Sequence, residues 1–207
     1  MVKVISHPLI EQKLTKMRSK DCSSLQFRKN LNQIASLMTY EILMDYKMIK
    51  RNVITPTGSK AEGVDFDKEI VIVPILRAGL GMVQGIEELV PQARIGHIGL
   101  YRDEETFQAH EYFYKMPEVT KNSRILVVDP MLATGTSASD TLTRLEKDGF
   151  TDLTLVCLVG VQEGIDKIRK EHPKVKIYLA AKDPTLNKEK YIVPGLGDAG
   201  DRIFGTK

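Results

Sequence analysis

The sequence predicts an α/β fold in which a mostly parallel sheet is flanked by helices, with an N-terminal helical portion and a C-terminal hood. From residue 68 onward, short apolar runs rich in β-branched residues alternate with stretches of helical periodicity. This alternation is typical of βαβ units, which build parallel sheets. The length of 207 residues favours a single domain over residues 1–207.

The individual elements follow from local patterns. Residues 7–50 have a helical pattern, with apolar side chains at three- and four-residue spacings between Phe27 and Ile42. The first predicted strand is Ile70–Leu76, and a helix over 79–90 follows it. The other predicted segments are strands over 98–101, 124–128, 153–159 and 175–181, and helices over 138–147 and 165–170.

Residues 101–117 fit neither periodicity well. Tyr112 to Tyr114 are typical of an edge strand or a hairpin arm, whose exposed tip would be the polar stretch 103–110. A surface loop and a mobile lid over a site are both open interpretations of this tip.

Composition excludes several classes of protein. No apolar run approaches the roughly 18 residues of a membrane span, and the N-terminus lacks the apolar core of a secretory leader, so we expect a cytoplasmic protein without membrane partners. A net charge of +3 is too small for a nucleic-acid partner. The two cysteines lie far apart in the sequence, which disfavours a disulfide framework or a zinc site.

The strongest local pattern is VVDPMLATGTS over residues 127–137. A buried strand ends at Asp129, and a loop with Thr134, Gly135, Thr136 and Ser137 opens the next helix. Backbone N–H groups, hydroxyls and the helix dipole there favour a phosphate, and Asp129 could accept hydrogen bonds from sugar hydroxyls. A simple helix cap beside a polar strand end explains the same spacing. A nucleotide P-loop does not, because no G-x-x-x-x-G-K-[ST] string is present.

Two arginines and a glycine-rich C-terminus are further candidates. Arg77 and Arg102 each follow an apolar run, where a guanidinium could bind phosphate oxygens; surface salt bridges are the alternative. Residues 191–205 combine four glycines with apolar side chains, which indicates backbone pressed against a flat group rather than a frayed tail. Such backbone could read the edge of a planar base.

These motifs also carry a resemblance that runs along the whole chain in order. Residues 127–137 resemble the 5-phosphoribosyl-1-pyrophosphate (PRPP) loop of type I phosphoribosyltransferases, in the version of their uracil-specific branch. The segments HPLI (7–10), PILRAGLGM (74–82), GHIGLYRD (96–103) and YIVPGLGDAGDRIFGTK (191–207) resemble further signatures of that branch.

The resemblance implies a reaction, uracil plus PRPP giving UMP and pyrophosphate, assisted by Mg²⁺ that PRPP itself mainly holds, with no metal-ligating residues. It implies PRPP binding by Arg77, Arg102, Asp129, Pro130, Met131, Leu132, Ala133, Thr134, Gly135, Thr136, Ser137 and Asp198. It implies uracil binding by Ile192, Gly197, Asp198 and Ala199, with Asp198 and Arg102 as the catalytic residues. It further implies a homodimer or higher homo-oligomer, and keeps GTP as a candidate effector.

Two departures and one backbone feature accompany the resemblance. Pro130 stands where most type I members have a second acid, and Thr136 stands at a second glycine of the loop. If that glycine has positive φ in the family, Thr136 should be strained. The resemblance also predicts a non-proline cis peptide between Arg77 and Ala78.

Two rival functions remain at this stage. A regulator that senses a nucleotide and binds RNA would need a basic face, which the near-balanced charge disfavours. A phosphoribosyltransferase for orotate would need a cation for the carboxylate of its base, and one for a purine would need a differently built hood.

Overall fold

The computed structural model describes residues 1–102 and 109–206, with side chains for all of them except 102, 109 and 110. The helices are α1 (Pro8–Arg18), α2 (Ser24–Ile42), α3 (Leu80–Glu87), α4 (Thr136–Lys147), α5 (Gln162–Glu171) and α6 (Ala199–Phe204). The strands are β1 (Val2–Val4), β2 (Met48–Ile54), β3 (Lys60–Phe66), β4 (Ile70–Leu76), β5 (Arg94–Ile95), β6 (His97–Arg102), β7 (Ala109–Lys115), β8 (Arg124–Val128), β9 (Met131–Leu132), β10 (Asp152–Gly160), β11 (Lys176–Lys182), β12 (Thr185–Leu186) and β13 (Ile192–Val193).

The central sheet has the strand order β1-β11-β10-β8-β4-β6-β7, with β5 alongside β4 and β9 alongside β10. All of its pairings are parallel except that of β6 with β7. The predicted α/β class with a mostly parallel sheet is therefore confirmed.

The middle strands are buried on both faces, which explains their continuous apolar sequences. In β4, β8 and β10 almost every residue is buried. One apolar cluster joins a face of the sheet to α1, α2, α3 and α6, and a second joins the opposite face to α4 and α5. Burial on both sides holds the strands rigidly, so the loops at their carboxyl ends start from fixed points.

The N-terminal helical portion consists of two helices, α1 and α2, and ends at Ile42, although the sequence pattern predicts helix up to residue 50. His7 caps α1 by accepting a hydrogen bond from the Leu9 N–H, and Ser23 caps α2 by accepting one from the Gln26 N–H. The predicted stripe from Phe27 to Ile42 is buried along α2.

Among the helices that the structure describes, none is long and apolar enough to cross a membrane.

The prediction of helix up to residue 50 is wrong beyond α2. The chain leaves the helix after Ile42 and forms an antiparallel hairpin of β2 and β3, which is a separate two-stranded sheet. Every residue of β2 is exposed, so no buried face imposes the alternation by which a strand is recognised in a sequence.

The predicted edge strand around Tyr112 to Tyr114 is confirmed. It forms β7, which pairs antiparallel with β6 at the edge of the central sheet. Residues 103–108 of the predicted tip, and with them the choice between a surface loop and a lid, lie outside the described residues.

The C-terminal hood comprises residues 185–204, namely β12, β13, α6 and the chain between them. The strands β12 and β13 pair with each other, away from the central sheet. Buried Leu196 and Ile203 belong to the same apolar cluster as Phe27 and Leu31 of α2. The hood is therefore packed on the N-terminal helices and projects over the ends of the strands.

The close approach of α3 to α2 gives a testable prediction. A methyl group at Gly85 would lie 2.1 Å from the backbone oxygen of Asn32, whereas one at Gly81 would first meet the movable Cδ2 of Leu31 at 2.5 Å. Both changes to alanine gain about 1 kcal/mol of helix propensity. We expect Gly85→Ala to lower the free energy of unfolding by about 2 kcal/mol in urea titrations. Gly81→Ala is the matched control with a clearly smaller loss, and equal losses would contradict this packing argument.

Candidate active site

A cavity of about 250 Å³ lies where the loops after β4 and β8 meet the hood. Its lining includes seven of the residues predicted to bind substrate, which are Asp129, Met131, Ala133, Ile192, Gly197, Asp198 and Ala199. Residues from positions 129 to 133 and 192 to 199 thus converge on one space, as expected at the carboxyl ends of parallel strands.

Asp129 occupies an interruption between β8 and β9, both of which pair with β10 in the same register. The Asp129 N–H donates to the Val156 oxygen at 3.2 Å, and the Pro130 oxygen accepts from the N–H groups of Leu158 and Val159. Pro130 itself is buried and has no N–H to satisfy. The chain therefore stays attached to β10 while the Asp129 side chain reaches the cavity.

The surroundings of Asp129 are poor in groups that stabilise a charge. Burial raises the pKa of its carboxyl from 3.8 to about 7, and one backbone hydrogen bond from Met131, at 3.3 Å, acts in the opposite direction. The Cys157 thiol, fully buried on the adjacent strand, also has a raised pKa because of its burial. A carboxyl that titrates near neutrality and lines a cavity is a typical feature of a functional site.

The predicted phosphate loop runs from Met131 to Ser137 and leads into α4. Gly135 has φ +78°, and a Cβ there would lie 2.9 Å from the backbone oxygen of Gly164 at the start of α5. A Cβ at Gly164 would in turn lie 2.5 Å from the Ala133 oxygen. The loop is thus held backbone against backbone on α5, and it leads directly into the N-terminus of α4 at Thr136.

The expected strain at Thr136 is not present. Thr136 is the first residue of α4, and the left-handed residue of the loop is Gly135 instead. The Thr136 hydroxyl lies 3.2 Å from the Thr134 hydroxyl, within hydrogen-bonding distance. Leu132, by contrast, is buried, and its carbonyl oxygen accepts from the Val161 N–H.

The loop after β4 makes a close approach to β8. A Cβ at Gly79 would lie 2.4 Å from the Val128 oxygen, so only glycine fits there. The non-proline cis peptide of this loop joins Leu76 to Arg77. The prediction of a cis bond at Arg77–Ala78 is therefore wrong by one residue, since the resemblance identified the loop but no local pattern fixed the bond.

The structure describes the side chain of Arg77 but not that of Arg102, the other predicted arginine. Arg77 is more than half exposed, with its guanidinium 3.4 Å from Asp201 of α6 and 5.8 Å from the ring centre of Phe204. It therefore stands beside the cavity, between the β4 loop and the hood. Arg102 is the last residue of β6, and its side chain lies outside the described part of the chain.

The hood supplies the opposite wall of the cavity. Asp198 caps α6, since its Oδ1 accepts from the Asp201 N–H at 2.9 Å, while its side chain also lines the cavity. Gly197 has φ +70° and is exposed, and Ile192 and Ala199 are buried behind it. The predicted base-binding residues are thus brought together.

Four residues that were given no binding role from the sequence also line the cavity, namely Ala78, Lys190, Tyr191 and Gly200. Of these, only Lys190 lies outside the motifs quoted from the sequence. Lys190 adopts a positive φ of 65°, and its ammonium group lies 3.7 Å from Glu163 of α5. In the sequence it belongs to the polar run NKEK, which has the composition of a solvated turn. Its place one residue before the Tyr191 motif was the only signal.

The acidic residues of the cavity suit a metal ion whose other ligands come from the substrate and from water. Among the described residues, no three His, Cys, Asp or Glu side chains are grouped as a metal site. Asp129 and Asp198 nevertheless line the same cavity. Mg²⁺ is usually bound through one or two carboxylates together with substrate phosphates and water, so this donor set fits an ion carried by a polyphosphate substrate.

The chain matches a known protein family over nearly its whole length. The family described as "Uracil phosphoribosyltransferase" matches residues 4–206. The chain is 67% identical over 207 residues to a uracil phosphoribosyltransferase of Mycoplasma mobile, covering all of both chains. It is 63% identical to that of Metamycoplasma hominis, covering all of this chain and 99% of the relative.

Solved structures give the same result for the fold. The AQ2163 protein from Aquifex aeolicus superimposes with a TM-score of 0.93 at 36% identity, over 100% of this chain and 99% of that one. A hypoxanthine-guanine phosphoribosyltransferase from Bacillus anthracis shares the fold at 13% identity, with a TM-score of 0.52 over 77% of this chain and 80% of that one. On the family match and these identities, the chain belongs to the uracil phosphoribosyltransferase family.

Proposed function

We propose that this protein transfers the 5-phosphoribosyl group of PRPP to N1 of uracil, giving UMP and pyrophosphate, as one domain over residues 1–207. The observation that carries the proposal is the single cavity that joins Asp129 and its loop to the glycine-rich hood. A substrate with a phosphorylated sugar on one side and a flat base on the other matches these two walls.

The PRPP side is assigned to residues 129–137. The N-terminus of α4 and the hydroxyls of Thr134 and Thr136 offer donors to the 5′-phosphate, and the close contact of Gly135 with Gly164 holds this loop in place. Asp129 accepts hydrogen bonds from the ribose hydroxyls. Pro130 and Leu132 act through their backbone, which keeps the loop attached to β10.

The pyrophosphate side is assigned to Arg77 and Arg102. Arg77 is exposed beside the cavity, where its guanidinium pairs with Asp201 at 3.4 Å and can exchange this carboxylate for an anionic phosphate group. Arg102 ends β6, the strand next to β4 in the sheet, and its assignment rests on the family motif. Lys190 adds positive charge to the cavity wall.

Uracil recognition is assigned to the backbone at Ile192, Gly197 and Ala199. Uracil offers two carbonyl acceptors and one N–H donor on its edge, which backbone N–H and C=O groups can match. Cytosine carries an amino donor where uracil has an acceptor, and an unpaired buried donor costs about 1–3 kcal/mol. Asp198, between the base and sugar sides, has a supporting role near N1.

Catalysis is then mainly a matter of position and charge. The residues of the loop hold the ribose so that its C1 faces N1 of uracil. The bond from C1 to pyrophosphate breaks as positive charge develops on the ribose, and Arg77 and Arg102 stabilise the departing oxygens. N1 of uracil bonds to C1 and releases its proton to solvent. When bound, Mg²⁺ would supply further positive charge to the pyrophosphate, and Asp129 and Asp198, which line the cavity, are the carboxylates that would hold it.

A panel of bases tests this function directly. Purified protein with PRPP and Mg²⁺ is given uracil, cytosine, orotate, hypoxanthine or adenine, and pyrophosphate release and nucleotide formation are followed. We expect UMP from uracil and at least tenfold lower kcat/KM for cytosine. Turnover with a purine or orotate in place of uracil would contradict the proposal. Adding GTP to the same assay tests whether it is an effector of this protein.

The cytoplasmic location expected from the sequence stays a prediction.

Asp129→Asn tests the role of the carboxylate. We expect kcat/KM for PRPP in the native protein to rise with pH through about 7, because the charged form binds the ribose hydroxyls. The variant should be at least tenfold slower at pH 8 and should lack this rise.

The same variant has a predicted effect on stability. Because the pKa of Asp129 is raised on folding, the native state keeps a proton that the unfolded chain releases between about pH 4 and 7. The ligand-free native protein therefore loses stability as pH rises through that window, and Asp129→Asn should not. Urea titrations at pH 5 and pH 8 measure the difference; an identical pH dependence in both proteins would contradict the assignment.

We also propose a homodimer as the minimal assembly. An apolar groove of about 400 Å³ runs from the end of α2 to the base of the hairpin, with Tyr40, Met44, Met48 and Leu89 exposed along it. An isolated two-stranded hairpin is only marginally stable in water, so a second copy packed on β2 and β3 would explain its persistence. Light scattering should give twice 23.3 kDa or a multiple of it; a monomer at micromolar concentration would exclude the assembly.

A further inference from the structure

The hood segment Gly195 to Asp198 is held from outside the cavity by two arginines. Arg18, the last residue of α1, donates from Nη1 to the Gly195 oxygen at 2.8 Å. Arg202 of α6 donates from Nη1 to the Leu196 oxygen at 2.7 Å. Two consecutive carbonyl groups, directly before Gly197 in the cavity wall, are thus each bound by a guanidinium.

Arg18 is itself fixed by a buried carboxylate. Its Nη2 and Nη1 donate to the two oxygens of Asp183 at 2.7 and 2.8 Å, a fork-to-fork pair in which the Asp183 side chain is only 6% exposed. Asp183 Oδ2 also accepts from the Gly195 N–H at 2.9 Å. Its own N–H donates to the Gly160 oxygen at the end of β10. This chain of bonds runs from the rigid sheet to Gly195.

Arg202 is anchored on the N-terminal helices in the same way. Its Nη2 donates to the Ser19 oxygen just after α1 at 2.7 Å, and its guanidinium lies 4.5 Å from the ring centre of Phe27 in α2. Phe27 is fully buried. The position of Arg202 is therefore set by the core beneath the hood.

These bonds fix the direction of backbone N–H groups as well. In a trans peptide the C=O and the following N–H point to opposite sides of the chain. Since the Leu196 carbonyl is directed at Arg202, the Gly197 N–H is directed away from Arg202, and Gly197 lines the cavity. Rotation of either peptide would break a charge-assisted hydrogen bond, which is worth more than a neutral one.

We propose that Arg18, through its ion pair with Asp183, and Arg202 are positioning residues for the base, because they hold the Gly195 and Leu196 carbonyl groups and thereby orient the adjoining Gly197 backbone that reads uracil. None of these three side chains belongs to the described lining of the cavity, so they act through the hood backbone. The inference rests on the proposed function, and it assigns to the N-terminal helices a role in selecting the base.

The test uses lysine in place of each arginine. Lysine keeps the positive charge that buried Asp183 requires, but its single ammonium lacks the planar fork that binds Asp183 and Gly195 together. We expect Arg18→Lys and Arg202→Lys each to raise KM for uracil about tenfold, while KM for PRPP and kcat change less than twofold. Arg169→Lys on the exposed face of α5 is the matched control and should leave all three constants unchanged.

The outcomes of these measurements decide whether Arg18 and Arg202 position the base. Circular dichroism and thermal melting first establish that the variants fold. Folded variants with unchanged KM for uracil, or with equal increases for uracil and PRPP, would overturn the positioning role while leaving the proposed function intact. Loss of folding in both variants would assign the arginines to stability alone and would also overturn it. Failure of the wild-type protein to form UMP would instead refute the proposed function itself.

Discussion

The interruption of the sheet at Asp129 and Pro130 is the constraint on which the site depends. Strands β8 and β9 keep one register against β10, so the two residues between them cannot move away from the sheet. Their backbone groups remain bonded to β10. The Asp129 carboxyl is therefore held at the cavity by a buried framework, and its raised pKa is a consequence of that placement. The phosphate loop begins from the same fixed point.

Close backbone contacts extend this constraint to the rest of the site. Gly79 brings the β4 loop against the end of β8, and Gly135 with Gly164 brings the phosphate loop against α5. Each contact leaves no space for a side chain at the glycine, and the close packing of backbone on backbone restricts the movement of the loop. In the part of the chain that the structure describes, the strands of the hood pair only with each other, so its position depends on apolar packing against α2 and on the arginines that bind its carbonyl groups.

Local sequence patterns predicted the parts of the fold that are buried. Strands β4, β8 and β10 are continuous apolar runs because both of their faces are covered, and α2 shows its stripe because one face is. The hairpin of β2 and β3 escaped prediction because every residue of β2 is exposed and no residue of β3 is more than partly buried, so neither strand has a continuous apolar sequence. Lys190 was missed for a similar reason, since a polar turn has the same composition whether or not it borders a cavity.

The sequence by itself determined the class of fold, the position of the loop from Asp129 to Ser137 and the glycine-rich composition of the hood, because each is a pattern of neighbouring residues. The non-proline cis peptide was implied by the family resemblance and not by a local pattern, and it lies one bond before the predicted position. Only the tertiary structure decided the pKa of Asp129, the ordinary backbone of Thr136 and the pairing of Arg18 with Asp183, which are 165 positions apart. Desolvation and contacts between distant segments arise from packing, and packing is not encoded in any short stretch of the chain.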